Sequence, residues 1–251
     1  MSTFELKATS ASREELLPRL PLDLSKHKLP IALYWTPIVI TSCSLLIIGY
    51  FTLRYATSLE LTIILSILLS IMGGVSALSF SIRTWALWCK DSNCRPLGVN
   101  SRWSFDYFFW NFLFTFSVLT ALITSGIVTE NMQIVSLPLS VLMLWVCLQM
   151  LIAEVLLLLG VKVPFRMGSL AKGDALRSGT FVIVDDVVAV DGKQGNAWRH
   201  AWNERYLASP TLGQFLSQMD RLWGCNGLGV VAVVWGVVFG VDNHDVGYAL
   251  V

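Results

Sequence analysis

Five stretches of the chain are apolar for twenty residues or more, and charged residues mark their ends. Ile31–Leu53 lies between Lys28 and Arg54, and Leu61–Ile82 between Glu60 and Arg83. Tyr107–Val128 lies between Asp106 and Glu130, and Leu222–Val241 between Arg221 and Asp242. None of these four holds a charge; the remaining run, Gln133–Gly160, holds one acid, Glu154. A hydrocarbon layer of about 30 Å takes roughly 20 helical residues to cross. In lipid only a helix satisfies its own backbone, so each run is predicted helical despite its Ile, Val and Thr content. Pro138 falls near a span start, where a missing amide costs little, and Pro37 is deep enough in the first run to predict a mild kink.

The spacing of cations orders these spans. The N-terminal tail carries Lys7, Arg13, Arg19, Lys26 and Lys28, the second loop Arg83, Lys90, Arg95 and Arg102, and the segment 161–221 eight more; the first loop has Arg54 alone. Alternate compartments thus hold 17 and 1 of the 18 basic residues. By the positive-inside rule the N-tail, second loop and segment 161–221 face the cytoplasm, and the tail 242–251 is lumenal or extracellular. Tyr34 and Trp35, the cluster Trp103, Phe105, Tyr107, Phe108, Phe109 and Trp110, and Trp223 sit near predicted interfaces, where amphipathic rings are favoured. The expected fold is an all-α integral membrane protein, a five-helix bundle with spans 31–53, 61–82, 107–128, 133–160 and 222–241. Residues 1–30 read as a flexible cytoplasmic tail (a retained anchor follows it, not a cleaved signal peptide), with Leu16–Leu17 a faint dileucine.

Only the segment 161–221 is long enough to fold outside the bilayer. Two β-branched tetrads flank Asp185–Asp186 between Gly179 and Gly192, which predicts a short β-hairpin or strand and makes this a small mixed α/β unit. A helix is predicted at about Asn196–Leu207, with Trp198, Trp202 and Tyr206 on one face. Ser209 and Pro210 then open a further helix that runs into the fifth span. The aromatic face is expected against the inner membrane surface, with a small core of its own as the alternative.

Composition narrows the function more than it defines it. The chain is 55% hydrophobic and 14% charged with a net charge of +1, which removes any bulk attraction to nucleic acid. Glu154, an ionisable group roughly 9 Å inside a span, is a candidate proton or substrate site, weighed against an ion-paired structural acid. Asp185, Asp186 and Asp191 form a weak acidic cluster whose spacing matches no cation loop, so they read better as turn acids. His27, His200 and His244 are too scattered for one metal site. Cys89–Cys94 has no second pair, so no metal or cofactor is expected. Cys89 is membrane-proximal and a candidate for palmitoylation. Ser66, Ser70 and Gly74 in the second span, and Gly236 and Gly240 in the fifth, have the four-residue spacing of helix-packing stripes, chiefly within the bundle and alternatively between copies. No catalytic or nucleotide motif is present.

The segments Val163-Pro-Phe-Arg-Met-Gly-Ser, Asp185-Asp-Val-Val-Ala-Val-Asp-Gly192 and Arg205-Tyr-Leu-Ala-Ser-Pro210, with Arg199 and Trp202 between, are similar to a group of fungal multi-pass membrane proteins. That group carries a D-V-x-A-V-D-G…R-Y-x-A-S-P segment before its last helices. The resemblance covers about 60 residues and implies a fungal source and the same span layout, but no activity. With no convergent set of titratable groups within the predicted bundle, the first reading of the chain is a non-catalytic accessory or scaffold protein of an endomembrane or plasma membrane. Its partners would be the bilayer and other membrane proteins or itself. The alternatives are a transporter component and a membrane enzyme acting on a lipid or isoprenoid.

Overall fold

The computed structural model describes residues 18–22, 45–89, 92–99 and 101–241, with a few isolated positions between 28 and 40. From residue 45 on, the described residues form eight helices in order: α1 Leu45–Ala56, α2 Leu61–Trp88, α3 Tyr107–Val128, α4 Met132–Ser136, α5 Pro138–Leu158, α6 Gly179–Val190, α7 Gly195–Ala208 and α8 Pro210–Gly240. Among the described residues there is no strand beyond two isolated bridges, Lys162 with Ala175 and Met167 with Leu170. Among the described residues four helices, α2, α3, α5 and α8, are long and apolar enough to cross a membrane. The first predicted span, 31–53, is not among them, so the expected five-helix count is not supported: α1 covers only its second half, and Pro37 with most of its first half lies outside the described residues, as do the dileucine, His27 and His244.

Two boundaries move for identifiable reasons. The second span does not stop at Ile82: α2 continues to Trp88 and carries Arg83 inside it, where the guanidinium is buried and ion-paired. A charge that finds carboxylates need not mark the end of a helix. The run 133–160 is two helices. Asn131 caps α4 by accepting from the amides of Gln133 and Ile134, and Pro138 restarts the chain as the first residue of α5. Lacking an amide hydrogen, proline fits that position at no cost.

The segment expected as a strand or hairpin is helical. The β-branched run Gly179–Val190 forms α6, because its first amides are satisfied from two directions. Ser178 Oγ accepts from Phe181 N at 3.2 Å, and the Asp220 carboxylate, reaching from α8, accepts from Gly179 N at 2.6 Å and Thr180 N at 2.8 Å. Intrinsic preference for strand among Val and Ile is worth a few tenths of a kcal/mol per residue. A double cap and a buried face outweigh it.

Helices α6 and α7 with the loop 161–178 build a core of their own. Phe181, Val182, Trp198 and Trp202 are buried with Val163, Leu170 and Leu216. Trp202 stacks on both Trp198 and Phe181, with centroids 5.4 and 5.5 Å apart. The aromatic face of α7 is therefore turned inward, not toward the membrane surface. Part of the N-terminal tail joins this core: Leu20 and Leu22 pack against it, and Arg205 Nη1 donates to the Pro18 carbonyl at 3.0 Å. Residues 18–22 are thus docked, where a loose tail was expected. The helix α8 begins, as the sequence anticipates, with Ser209 accepting from Leu212 N and Pro210 at its first position, and runs without a break through the fifth span.

The close helix contact of the bundle is α5 against α8, made by glycines that the four-residue stripes did not single out. A Cβ on Gly224 would lie 2.6 Å from Leu151 Cγ, and one on Gly227 would collide with the Cys147 sulfur. By contrast, added Cβ atoms on Gly74, Gly236 and Gly240 would meet nothing within 4 Å, and Ser66 and Ser70 are exposed. Their hydroxyls bond back to the carbonyls of Thr62 and Ser66 one turn earlier. These stripes pack no helix among the described residues, because the three-residue pair Gly224 and Gly227 already fixes the face of α8 that meets α5.

Gly227→Ala is expected to destabilise the chain by about 1–3 kcal/mol through overpacking. Adding Cys147→Ala should restore most of the loss by removing the colliding sulfur. Thermal midpoints of the two variants in one detergent test this, and equal midpoints for Gly227→Ala and the unaltered chain would refute it.

Candidate functional site

Charged side chains from distant parts of the chain converge where α2, α3 and α6 meet. Arg83, from α2, places Nη2 2.5 Å from Asp106 Oδ2 and Nη1 2.5 Å from Asp191 Oδ2. Its guanidinium lies over the Phe108 ring, 4.6 Å from the centroid. Arg199, from α7, places Nη1 2.7 Å from Asp185 Oδ2 and 2.8 Å from Asp186 Oδ1, and Nη2 3.8 Å from Asp106 Oδ2. It also donates to Ser169 Oγ and to the Cys94 carbonyl, each at 3.1 Å. Arg199, Asp106 and Asp186 are fully buried. Asp186 Oδ2 accepts the Phe108 amide at 3.1 Å, and Asp106 Oδ1 accepts that of Phe109 at 2.8 Å, so both acids serve the start of α3. Gly168 has φ +55°, and a Cβ there would press on Asp186 Oδ1 at 3.0 Å. A side chain at 168 would push the loop off the cluster.

Two of the three acids noted in the sequence, Asp185 and Asp186, are thus not turn residues, whereas Asp191 is. Asp185 and Asp186 lie on the inner face of α6, and Asp191 caps its end. They form ion pairs with Arg199 and Arg83. Among the described residues no group of three or more His, Cys, Asp or Glu is placed to hold a metal. The cluster holds four carboxylates against two guanidinium groups. Burial, and then the neighbouring Asp186, push Asp106 up to about 7 against the pull of Arg83. Burial likewise raises Asp185 and Asp191 above the usual carboxylate range, opposed by Arg199 and Arg83 respectively.

Beside the cluster a cavity of about 970 Å³ opens between α2, α3 and α5. Its walls are apolar along both α3 and α5, from Tyr107 to Ile127 and from Pro138 to Leu156. That is a length of roughly 30 Å at 1.5 Å per residue. Polar groups gather at one end, under the loop 161–178 and α6. Tyr107 donates to Gln149 Oε1 at 3.1 Å, and Asn111 Oδ1 accepts from Gln149 Nε2 at 2.8 Å and from Trp145 Nε1 at 3.2 Å. Arg177 and Asp186 border the same end.

Glu154 is not part of this site. It is buried in α5, where both its oxygens lie 2.6 Å from Ser217 Oγ and Oε1 is 3.3 Å from Arg221 Nε. This is the ion-paired arrangement weighed against a functional acid. Cys89 is half-buried at the end of α2 and His200 is exposed. Sequence reading missed the roles of Arg83, Asp106, Arg177 and Arg199, which it used as span limits or loop charges and, for Arg199, as part of the resemblance. One signal was available: Tyr107 with Asn111, and Trp145 with Gln149, are polar pairs four apart on two neighbouring spans, the spacing that lets side chains bond across helices in lipid.

The raised carboxylates fix the sign of a pH effect. An acid that binds its proton more tightly when folded contributes stability that is full below its unfolded value. That stability is lost as pH rises through the folded one. For Asp106 the window runs from the ordinary value of 3.8 to about 7. The thermal midpoint in detergent is expected to fall between about pH 5 and 7.5, and Asp106→Asn to flatten that slope. A midpoint that rises across this range, or an unchanged slope in the variant, would contradict the assignment.

Neither a curated protein nor a solved structure matches the chain. One family does, over residues 6–251, and its description is "Domain of unknown function (DUF8766)". The chain, with its four membrane-length helices and the buried ionic cluster at one end of them, belongs to that family of unassigned function.

Proposed function

We propose that the chain is an integral membrane protein that binds a lipid-like amphiphile, with the apolar chain in the cavity between α2, α3 and α5 and the polar head beneath α6. The carrying observation is the cavity itself. It is mostly apolar for nearly a membrane's depth, carries its charged and amide side chains at one end, and is near the upper limit of about 300–1,000 Å³ for small-molecule sites. The accessory reading rested on the lack of converging titratable groups, yet Arg83, Arg199 and four aspartates converge beside this cavity. The binding reading is therefore favoured, and it stands closest to an enzyme or carrier of lipid or isoprenoid. In the same proposal the end that carries the cluster faces the cytoplasm of a fungal endomembrane or plasma membrane, on the basic-residue asymmetry and the segment 185–210.

Gly73 lines the cavity, and a Cβ there would meet nothing within 4 Å, so a larger side chain enters open space. The purified full chain is expected to retain bound amphiphile in native mass spectrometry, and Gly73→Trp to lose most of it while keeping its thermal midpoint. Unchanged occupancy in Gly73→Trp would remove the reading.

The orientation is checked separately. Protease added outside sealed microsomes should cut the segment 161–209 and spare a tag placed after Val251. Cleavage of that tag with the membrane intact would reverse the assigned sides.

A further inference from the structure

Among the described residues, Arg177 at the polar end of the cavity has no hydrogen-bond or ion-pair partner. Arg177 borders the cavity just before α6, and its guanidinium is held over two rings, 4.5 Å from the Phe181 centroid and 4.8 Å from that of Tyr206. Those contacts fix its position but use none of its five N–H donors. Among the described residues it makes no hydrogen bond and no ion pair, and Nη1 is enclosed without an acceptor. The nearby acids make no hydrogen bond or ion pair to it; Asp174 and Asp185 act on it only through space, and Asp185 Oδ1 is itself enclosed without a partner. Asp185 Oδ2 and Asp186 Oδ1 bind Arg199, Asp186 Oδ2 takes the Phe108 amide, Asp220 caps α6, and Asp174 accepts the Ala171 amide. The neutral polar groups at this end, Tyr107, Gln149, Asn111 and Trp145, satisfy one another. The unmet demand is for an acceptor, and it is a charged one.

We infer that Arg177 is the headgroup-binding residue of the cavity, and that the bound amphiphile carries an anionic head, a phosphate or a carboxylate. This rests on the cavity reading given above. A guanidinium offers parallel donors that match two oxygens of either group. A partly enclosed cation without a counter-ion is costly, and a ligand that supplies the anion recovers that cost on binding. The charge of Asp186, at the same end, is offset by the Arg199 guanidinium 2.8 Å away. The head would sit between Arg177 and the Tyr107–Gln149 pair, and the chain would run along α3 and α5.

The test uses the full chain in neutral-lipid nanodiscs and three probes with one fluorescent alkyl chain: a carboxylic acid, a monoalkyl phosphate and an alcohol. Both anions are expected to bind at least about tenfold tighter than the alcohol, as a charged hydrogen bond provides. Arg177→Gln should bring them down to the alcohol's affinity and leave the alcohol unchanged, and Arg177→Lys should keep part of the preference. The tighter of the two anions identifies the head. Equal binding of acid, phosphate and alcohol to the unaltered chain would overturn the inference, a comparison that needs no variant to fold. So would an equal loss of all three in Arg177→Gln, or displacement of the probes by millimolar inorganic phosphate alone. Gly73→Trp separates the two levels. If it abolishes binding while the three heads bind alike, the headgroup assignment fails and the cavity stands; if it changes nothing, the cavity reading fails first.

Discussion

Two guanidinium groups and four carboxylates, taken out of water together, tie this fold at one end. Arg83 belongs to a membrane-length helix, Asp106 to the start of the next, and Asp185, Asp186 and Asp191 to α6; Arg199 comes from α7. None of these charges is tolerable where it lies without the others. Removing one partner from a buried ion pair costs about 3–5 kcal/mol, mostly because the remaining charge is stranded. The cluster is therefore better understood as a specifier of arrangement than as a source of net stability. It permits one docking of α6 and α7 on the ends of α2 and α3, since any other would leave a charge unmatched in a low-dielectric setting. It is incompletely satisfied even so, with Asp185 Oδ1 and the Nε atoms of both arginines enclosed without partners.

That docking is what shapes the cavity. With α6 held by the ion cluster and by the Asp220 cap, the loop 161–178 and the first turns of α6 close one end of the space between α2, α3 and α5. They bring a polar boundary, including Arg177, to walls that are otherwise apolar. The opposite side of the bundle is packed differently. There α5 and α8 approach through Gly224 and Gly227 against Leu151 and Cys147, close enough that no side chain fits between. Helices in lipid gain little from burying apolar surface, since lipid is equally apolar, so close van der Waals contact must hold them. One tight helix pair and one open space are thus parts of the same economy of small residues.

The position of α6 also explains why a stretch rich in valine is helical. Its twelve residues carry two adjacent acids that both reach Arg199, which an alternating strand would send to opposite faces. On a helix, neighbours 185 and 186 are separated by about 100°, close enough for one guanidinium to span. Local preference favoured a strand; the single counter-ion for two consecutive acids required a helix.

The amino-acid sequence alone determined where helices long and apolar enough to cross a membrane would form. Runs of twenty apolar residues bounded by charges are sufficient for that, because the cost of an unpaired backbone in lipid leaves only the helix. The limits of α3, the start of α8 at Ser209–Pro210 and the extent of α7 were equally local, set by caps and periodicity within a few residues. Tertiary structure decided what depended on partners far along the chain: that Arg83 lies inside a helix, that Asp185 and Asp186 are buried rather than at a turn, that the aromatic face of α7 turns inward, and that Gly224 and Gly227 are the packing glycines. Burial of a charge or loss of a Cβ is decided by what stands opposite. For Arg83 and Asp191 the opposing group is 108 residues away, a distance over which neither composition nor periodicity carries information.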